Sequence, residues 1–476
     1  MPNDLVPPDS VIAIFGACGD LARRSLLPAL WRLDREGLLP RRFRVIGNSL
    51  DDLTTDDFRA FARAAIEEFS SGDIPAGAWR EFSGKLSYTS GQFEPGDTDP
   101  MTEAIGAAEA EVGGTPRRLF YFAVPPSAYS SLTAAVGATG LQERARVVYE
   151  KPFGGDLKAT CELNAEVHEV LDETQVYRID HFLGKETVQN ILALRFANGM
   201  FEPVWDGRHI DHVQIDIPET LGIGTRAGFY EGIGAMKDMI VTHLFQVLTF
   251  VAMEPPARLA ADDLMTEKTK VMRCLQPLGP DDVVRGQYEG YRDEPGVAPD
   301  SQTETFFAAR VGIDNWRWSG VPFFLRTGKR LAAERWSVTL AFKQPPNSMF
   351  GEVPDGFGYD HLALELAPTE GISLGFLAKE PGPAFSLAPA SMNFAYDASS
   401  RSKLIGPYER LIHDALLGER TLFTSAESLE AAWHALEGIT DDPPPVEPYG
   451  QGTWGPAKAE QLIAPRRWRE PQPARH

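Results

Sequence analysis

The sequence predicts two domains of different class: an α/β domain with a doubly wound parallel sheet, followed by a larger α+β domain with a mostly antiparallel sheet. The chain has 476 residues, more than one ordinary hydrophobic core accommodates. In its first third, short apolar runs alternate with helical spacing, which is typical of a parallel sheet covered on both faces. After about Asp180, strands follow one another with few helices between them. We therefore place the domains at residues 1–180 and 181–476, the second ending in a C-terminal tail.

The strands of the first domain are expected where apolar runs end at glycine or proline. They are Val11–Phe15, Phe43–Ile46, Leu119–Val124 and Arg146–Tyr149, and a helix is expected over Leu21–Trp31. Ligands of doubly wound sheets bind beyond the carboxyl ends of the strands. Gly16, Gly47 and Lys151 fall at these ends and are candidate binding positions.

The second domain begins with a mixture of helices and strands and continues mainly as strands. Helices are predicted over 185–196 and 234–251, and strands over 211–217, 304–311, 317–325, 337–342, 362–366 and 372–377. The proline-rich segment 441–448 and the arginines from Arg466 onward are predicted to form a docked or mobile tail.

The overall charge argues against nucleic acid and anionic membranes as partners. Acidic residues outnumber basic ones by 67 to 46, giving a net charge of −21. The three cysteines, Cys18, Cys161 and Cys274, are too far apart in sequence to indicate a disulfide framework, which fits a reducing compartment. The N-terminal segment lacks the basic and apolar pattern of a signal peptide, and the longest apolar stretch is too short to span a bilayer. We expect a cytoplasmic protein.

A glycine-containing turn follows the first predicted strand, with the sequence Gly16-Ala-Cys-Gly-Asp-Leu-Ala22. Glycines at this point let backbone amides approach a pyrophosphate at the start of a helix. The usual G-x-G-x-x-G pattern is incomplete, because Cys18 stands in the place of its middle glycine. A strand-to-helix turn without a ligand is the alternative, but the doubly wound setting favours dinucleotide binding.

The end of the second predicted strand normally selects the coenzyme. An acid there binds the ribose 2′-hydroxyl of NAD, whereas an arginine binds the 2′-phosphate of NADP. The segment from Gly47 to Asp51 has neither an arginine nor a clearly placed acid at this point. Asn48 and Ser49 can hydrogen-bond either coenzyme. Arg23 and Arg24 add positive charge nearby in sequence. The sequence predicts that NADP is accepted, with a weaker preference than an arginine would give.

Lys151 lies between Glu150 and Pro152 at the end of a predicted strand. A lysine there can reach both coenzyme and substrate hydroxyls, and a rigid, cis or trans, Lys-Pro bond would orient it. A surface lysine before a turn proline is the alternative.

The segment Arg178-Ile-Asp-His-Phe-Leu-Gly-Lys185 concentrates polar groups. If a helix begins here, His181 and Lys185 share one face and form, with the helix N-terminus, a site suited to phosphate. Asp180 can accept a hydrogen bond from another histidine, and His243 is the candidate. A lone histidine in an apolar helix is more often a core residue. Oxidation of an alcohol carbon by hydride transfer, however, needs a base oriented by a carboxylate.

Further cations follow the predicted strand 317–325. Lys329 and Arg335 are anion-binding candidates, although solvated surface charges are an equal alternative.

Together these motifs resemble those of the glucose-6-phosphate dehydrogenase family, from about residue 11 to residue 455. The matching segments, in family order, are Gly16–Ala22, Glu150–Gly154, Arg178–Lys185, Arg195–Asn198, Asp238–His243, Ala252–Pro255, Arg326–Lys329 and Pro407–Leu411. The resemblance implies a Rossmann-like domain plus an α+β domain that dimerises through its sheet, in a homodimer or homotetramer. It also implies oxidation of glucose 6-phosphate at C1 to 6-phosphogluconolactone by hydride transfer to NADP, with NAD as an alternative, and without a metal. This is the first step of the oxidative pentose phosphate pathway.

The resemblance also implies roles for individual residues. His243 is expected to be the general base, Asp180 to orient it, and His181 with Lys185 to bind the phosphate. The residues expected to contact the sugar or its phosphate are Lys151, Glu219, Asp238 and Lys329, and those expected to bind the coenzyme are Gly16, Ala17, Gly19, Asp20, Leu21, Ser49 and Lys151.

Four departures from the family pattern occur, one of them at a pair of residues. Ser25 replaces a lysine, Phe182 a tyrosine, Val241-Thr242 a Gln-Asn pair, and Leu50 the arginine that binds the 2′-phosphate. Two alternatives stay open: a sugar oxidoreductase of the glucose–fructose oxidoreductase type, and a paralogue that binds sugar phosphate without catalysis.

Overall fold

The computed structural model describes residues 5–70, 72–93, 99–224, 226–347, 349–350, 360–368, 370–395 and 405–470. It divides into two compact units. The first unit comprises Met1–Lys185, Ala257–Met265 and Ile405–Glu427, and the second comprises Glu186–Pro256, Thr266–Leu404 and Ser428–His476. The domain boundary predicted after residue 180 stays a prediction.

The strands are numbered in chain order. They are β1 (Ser10–Phe15), β2 (Phe43–Ser49), β3 (Leu86–Ser90), β4 (Arg117–Phe122), β5 (Ala145–Tyr149), β6 (Val176–Ile179), β7 (Ile210–Pro218), β8 (Val283–Tyr288), β9 (Phe306–Val311), β10 (Phe323–Gly328), β11 (Trp336–Phe342), β12 (His361–Ala367), β13 (Gly371–Lys379), β14 (Leu387–Ala395), β15 (Phe423–Thr424) and β16 (Val446–Tyr449).

The α-helices are α1 (Leu27–Arg35), α2 (Thr55–Phe69), α3 (Ala76–Ser83), α4 (Asp99–Val112), α5 (Tyr129–Ala138), α6 (Leu157–His168), α7 (Glu186–Phe196), α8 (Ala227–Tyr230), α9 (Phe245–Ala252), α10 (Ala261–Arg273), α11 (Pro407–Leu417), α12 (Ala426–Asp441) and α13 (Ala457–Ile463). Ala22–Leu26 and Met236–Leu244 are π-helical, and short 3₁₀ turns lie at Pro126–Ala128, Glu173–Gln175, Glu202–Val204, Pro280–Asp282 and Tyr291–Asp293.

The sheet of the first unit has the doubly wound topology that the sequence predicts. Its described strands lie in the order β3-β2-β1-β4-β5-β6, all parallel, with β15 antiparallel beside β6. Every residue of β1 is buried, as expected for a strand covered by helices on both faces. The strand order reverses between β1 and β4, which is where ligands of such sheets bind.

The sheet of the second unit is mostly antiparallel, as predicted. Its described strands lie in the order β14-β13-β12-β11-β7-β10-β9-β8-β16. Only two of these neighbouring pairs are parallel, β7 with β10 and β8 with β16. The predicted fold class is therefore confirmed.

Two local predictions were wrong. The segment 178–185 is not the start of a helix: Arg178 and Ile179 end β6, a turn follows, and α7 begins at Glu186. The strand expected over 317–325 begins only at Phe323, because the residues before it form a turn. The helix expected over 234–251 is confirmed, because helical residues run without a break from Gly234 to Ala252, as a π-helical segment followed by α9.

The C-terminal tail is docked on the second unit over its described part. β16 extends the sheet beside β8, Arg466 Nε donates to Asp211 Oδ2 at 2.6 Å, and Arg469 Nη1 donates to Glu365 Oε1 at 2.9 Å. The indole of Trp468 lies 4.3 Å from the guanidinium carbon of Arg326. Among the described helices, none has the length and apolar character needed to cross a bilayer.

Candidate functional site

The predicted glycine turn is present between β1 and the first π-helical segment. Gly16 has a φ of +79°, and a Cβ on it would lie 2.2 Å from the backbone oxygen of Ala123, so only glycine fits. The amides of Gly16 and Ala17 donate to the Asn48 carbonyl at 2.8 and 3.0 Å, and the Gly19 amide donates to the Gly16 carbonyl at 2.9 Å. The turn is thus tied to the end of β2. The Gly16 backbone packs closely against Ala123, which follows β4. A glycine turn of this kind, directly before a helix, is suited to binding the pyrophosphate of a dinucleotide.

The end of β2 carries a small polar cluster beside this turn. Ser49 Oγ donates to Asp51 Oδ2 at 2.6 Å and lies 2.8 Å from Tyr88 Oη. Tyr88 Oη donates to the backbone oxygen of Asp51 at 2.6 Å. Burial raises the pKa of the Cys18 thiol. Ser49 is the last residue of β2 and is hydrogen-bonded to Asp51; its contact with the coenzyme stays a prediction.

The two arginines that follow the turn already have acidic partners. The Arg23 guanidinium pairs with Glu68, and Arg24 Nε donates to Asp20 Oδ1 at 2.6 Å. Both guanidinium groups also lie over the ring of Phe69, at 5.5 and 5.4 Å from its centroid. Asp20, a predicted coenzyme residue, is therefore engaged by Arg24, while Leu21 directly precedes the π-helical segment.

Lys151 directly follows β5 beside a buried carboxyl group, and the Lys151–Pro152 peptide bond is cis. The carboxylate of Glu150 accepts a hydrogen bond of 2.6 Å from Tyr121 Oη. Burial raises the pKa of Glu150 to about 7, although the Tyr121 hydrogen bond and the Lys151 charge act in the opposite direction. The sequence analysis identified Lys151 as a candidate but did not identify Glu150 as a titratable group. The only sequence feature that indicates Glu150 is its position as an acid directly after an apolar strand.

The polar segment after β6 folds as a turn. Asp180 Oδ1 accepts from the Phe182 amide at 2.9 Å, and the Lys185 amide donates to the Phe182 carbonyl at 3.1 Å. Lys185 Nζ lies 5.4 Å from the centroid of the Phe182 ring. His181 and Lys185 therefore belong to one compact turn rather than to one helix face. Phe182 is buried there, so its apolar ring is accommodated in place of a tyrosine.

Tyr408, at the start of α11, is a candidate site residue that the sequence analysis did not identify. Its ring lies nearly parallel to the His181 ring, with centroids 6.4 Å apart. Burial raises the pKa of Tyr408, and the carboxylates of Glu150 and Asp180 raise it further. The phenol therefore stays protonated near neutral pH. Tyr408 lies within the Pro407–Leu411 motif noted above. Its proximity to His181 could not be predicted, because the two residues are far apart in sequence.

In the second unit, predicted residues meet where two parallel strands end. Glu219 follows β7 and Lys329 follows β10, and Lys329 Nζ donates to Glu219 Oε2 at 2.6 Å. The Lys329 ammonium also lies 5.2 Å from the centroid of the Tyr230 ring. Burial raises the pKa of Tyr230, and the nearby Asp238 carboxylate adds to this effect. Lys329 thus lies over the Tyr230 ring, and the charges of Asp238 and Glu219 act on the same tyrosine. Arg335, the other cation considered, pairs with Glu365 instead.

His243 is completely buried and lies in the π-helical segment that precedes α9. Segments of π-helix occur often at functional sites. Within this segment, Thr242 Oγ1 donates to the Asp238 carbonyl at 2.9 Å. His243 belongs to the second unit and Asp180 to the first, so their pairing stays a prediction.

Comparison with known proteins identifies both parts of the chain. Residues 13–190 match the family model "Glucose-6-phosphate dehydrogenase, NAD binding domain", and residues 192–469 match "Glucose-6-phosphate dehydrogenase, C-terminal domain". The chain is 39% identical to glucose-6-phosphate 1-dehydrogenase of Rhizobium meliloti, covering 97% of this chain and 98% of that protein. It is 40% identical to the Treponema pallidum enzyme, covering 97% and 95%.

Solved structures agree with this similarity. Glucose-6-phosphate 1-dehydrogenase from Mycobacterium avium is 37% identical, with a TM-score of 0.88 and coverage of 98% of this chain and 99% of that one. A glucose-6-phosphate dehydrogenase in complex with its substrate glucose-6-phosphate is 32% identical, with the same TM-score and coverage. The resemblance found in the sequence motifs is confirmed. The chain belongs to the glucose-6-phosphate dehydrogenase family.

Proposed function

We propose that this protein oxidises glucose 6-phosphate at C1 to 6-phosphogluconolactone, the first step of the oxidative pentose phosphate pathway. The observation that supports this most strongly is the full-length similarity to glucose-6-phosphate 1-dehydrogenases, 39% identity over 97% of the chain. Both family models match in sequence order, so the nucleotide-binding part and the C-terminal part are both represented.

His243 acts as the general base that takes the proton from the C1 hydroxyl. A neutral imidazole suits this step because its ordinary pKa lies near neutrality. Asp180 holds the imidazole in one tautomer and stabilises the imidazolium that forms. The hydrogen bond from the Phe182 amide to Asp180 Oδ1 orients this carboxylate.

His181 and Lys185 bind the substrate phosphate. Lysine supplies a compact charge and histidine a directional donor, and both lie in the same turn after β6. The stacking of His181 on Tyr408 limits the orientations of the imidazole. Free glucose lacks the group that these two side chains recognise.

Lys151, Glu219, Asp238 and Lys329 contact the sugar hydroxyls or the phosphate. The Lys329 ammonium is nearly buried and is paired with Glu219, so it presents a fixed donor. Glu219 and Asp238 supply acceptors for hydroxyl groups.

The coenzyme is held by the turn after β1 and by the end of β2. The residues proposed for this are Gly16, Ala17, Gly19, Asp20, Leu21 and Ser49, with Lys151 at the nicotinamide side. The nicotinamide ring of the bound dinucleotide supplies the hydride acceptor. We expect both NADP and NAD to be accepted, because Leu50 stands where an arginine would select NADP.

The test is an assay of purified protein with glucose 6-phosphate and each coenzyme separately. Turnover with either supports the proposal, and none with both, for well-folded protein, contradicts it. Equal turnover of free glucose would favour a glucose–fructose oxidoreductase type of activity. Sugar-phosphate binding without turnover, unchanged in His243→Ala, would favour a non-catalytic paralogue.

We also propose that the protein is cytoplasmic and forms a homodimer, or a homotetramer built from it, through the sheet of the second unit. β14 exposes apolar side chains, Met392 by 63% and Phe394 by 51%, and such a strand favours association. Light scattering should give a dimer or tetramer mass for the native chain and a monomer mass for Met392→Asp/Phe394→Asp.

A further inference from the structure

The polar cluster of Ser49, Asp51 and Tyr88 lies where the adenosine ribose of a dinucleotide would fall. In a doubly wound sheet this ribose reaches the carboxyl end of the second strand once the pyrophosphate rests on the turn after the first. Here the two positions are physically joined, because the amides of Gly16 and Ala17 donate to Asn48, next to Ser49. This argument rests on the proposed function only in taking a nicotinamide dinucleotide as the ligand.

The carboxylate in this cluster is held in place. Ser49 Oγ donates to Asp51 Oδ2 at 2.6 Å, and Tyr88 Oη donates to the Asp51 backbone at 2.6 Å, so both the side chain and the main chain of Asp51 are fixed. A carboxylate offers about four acceptor sites. Asp51 can therefore accept a ribose hydroxyl while it keeps its bond to Ser49, and it would repel a 2′-phosphate.

The cations nearby in sequence do not offset this carboxylate. Arg23 pairs with Glu68 and Arg24 with Asp20, and both guanidinium groups lie over Phe69. Leu50, the neighbour of Asp51, is 73% exposed and uncharged.

We propose that Asp51, positioned by Ser49 and Tyr88, selects the coenzyme whose adenosine ribose carries a free 2′-hydroxyl, so that this protein prefers NAD to NADP. The acid that performs this role comes two residues after Ser49, the last residue of β2, and the hydrogen bond from Ser49 brings it back to the strand end.

Calorimetric binding of NAD and NADP, without sugar substrate, tests the proposal directly. We expect NAD to bind about tenfold or more tightly than NADP, the factor that one charge-assisted contact contributes. The fragments AMP and adenosine 2′,5′-bisphosphate should show the same order, which locates the effect at the 2′ position. Asp51→Asn should reduce the NAD-to-NADP affinity ratio by about tenfold.

Asp52→Asn is the matched control, because Asp52 is a neighbouring exposed aspartate and the variant changes the net charge equally. It should leave the affinity ratio unchanged. Tighter binding of NADP than NAD by the native protein, or equal shifts in the two variants, would overturn the proposal. Since no sugar is oxidised in this experiment, failure of the proposed reaction and failure of the coenzyme assignment give different results.

Discussion

Lys329 Nζ donates a 2.6 Å hydrogen bond to Glu219 Oε2, joining the first residues beyond β10 and β7. The Lys329 side chain is only 4% exposed, whereas that of Glu219 is 29% exposed. A buried ammonium without a partner is unfavourable, so the ion pair with Glu219 holds the Lys329 side chain in position. Because the two strands are parallel neighbours, any ligand at their carboxyl ends meets this pair.

Replacing Lys329 should therefore weaken substrate binding more than it slows the chemical step. We expect Lys329→Met to raise the KM for glucose 6-phosphate by about ten- to a hundredfold, the effect of losing one charge-assisted hydrogen bond. Steady-state kinetics measure this, with Lys343→Met as the control because Lys343 is exposed and its ammonium donates to the Gly207 carbonyl. An unchanged KM would remove Lys329 from the substrate site.

His243 should be indispensable for turnover. Loss of a general base typically lowers the rate by about 10²–10⁴-fold, so we expect His243→Asn to reduce kcat by this factor and to change KM little. His243 is completely buried, and the melting temperature must accordingly be measured alongside the kinetics. His209→Asn, at an exposed histidine, should retain native kcat. A folded His243→Asn variant with near-native kcat would exclude the proposed base.

The turn after β6 should decide between a phosphorylated and a free sugar. We expect His181→Asn and Lys185→Ala each to lower kcat/KM for glucose 6-phosphate by about ten- to a hundredfold. Activity on free glucose, which lacks the phosphate, should change little. Lys158→Ala is the control, since its side chain is 85% exposed and lies on α6. Equal losses on both sugars would show that the turn serves the structure rather than phosphate recognition.

Glu150 should make stability depend on pH. Its pKa rises from 4.5 to about 7 on folding, so the folded protein retains a proton that the unfolded chain has released. The resulting stabilisation is complete below pH 4.5 and is lost as the pH rises through 7. Between about pH 5.5 and 8, the free energy of unfolding should fall by about 2 kcal/mol more in the native protein than in Glu150→Gln.

Urea unfolding of both proteins at the two pH values measures this difference. Glu143→Gln, at an exposed glutamate of the same unit, should follow the native protein. If the native protein and Glu150→Gln lose stability in parallel, Glu150 does not titrate in this range.

Local sequence patterns predicted much of what positions the site. Apolar runs ending at Gly16 and Gly47 located β1 and β2, and the acid and lysine before Pro152 marked the end of β5. The same reasoning failed at His181 and Lys185, because four-residue spacing is compatible with a helix but does not exclude a tight turn. The turn forms instead because the Asp180 carboxylate accepts the Phe182 amide.

The sequence by itself determined the fold class, the order of the elements and the family. Strand periodicity, helix spacing and turn residues are local patterns, because each depends only on residues that are close in sequence. Only the tertiary structure decided which side chains become partners. Glu219 and Lys329 are 110 residues apart, and Ser49 meets Tyr88 only because β2 pairs with β3. Such contacts depend on strand order and register, which long-range packing sets and local spacing does not record.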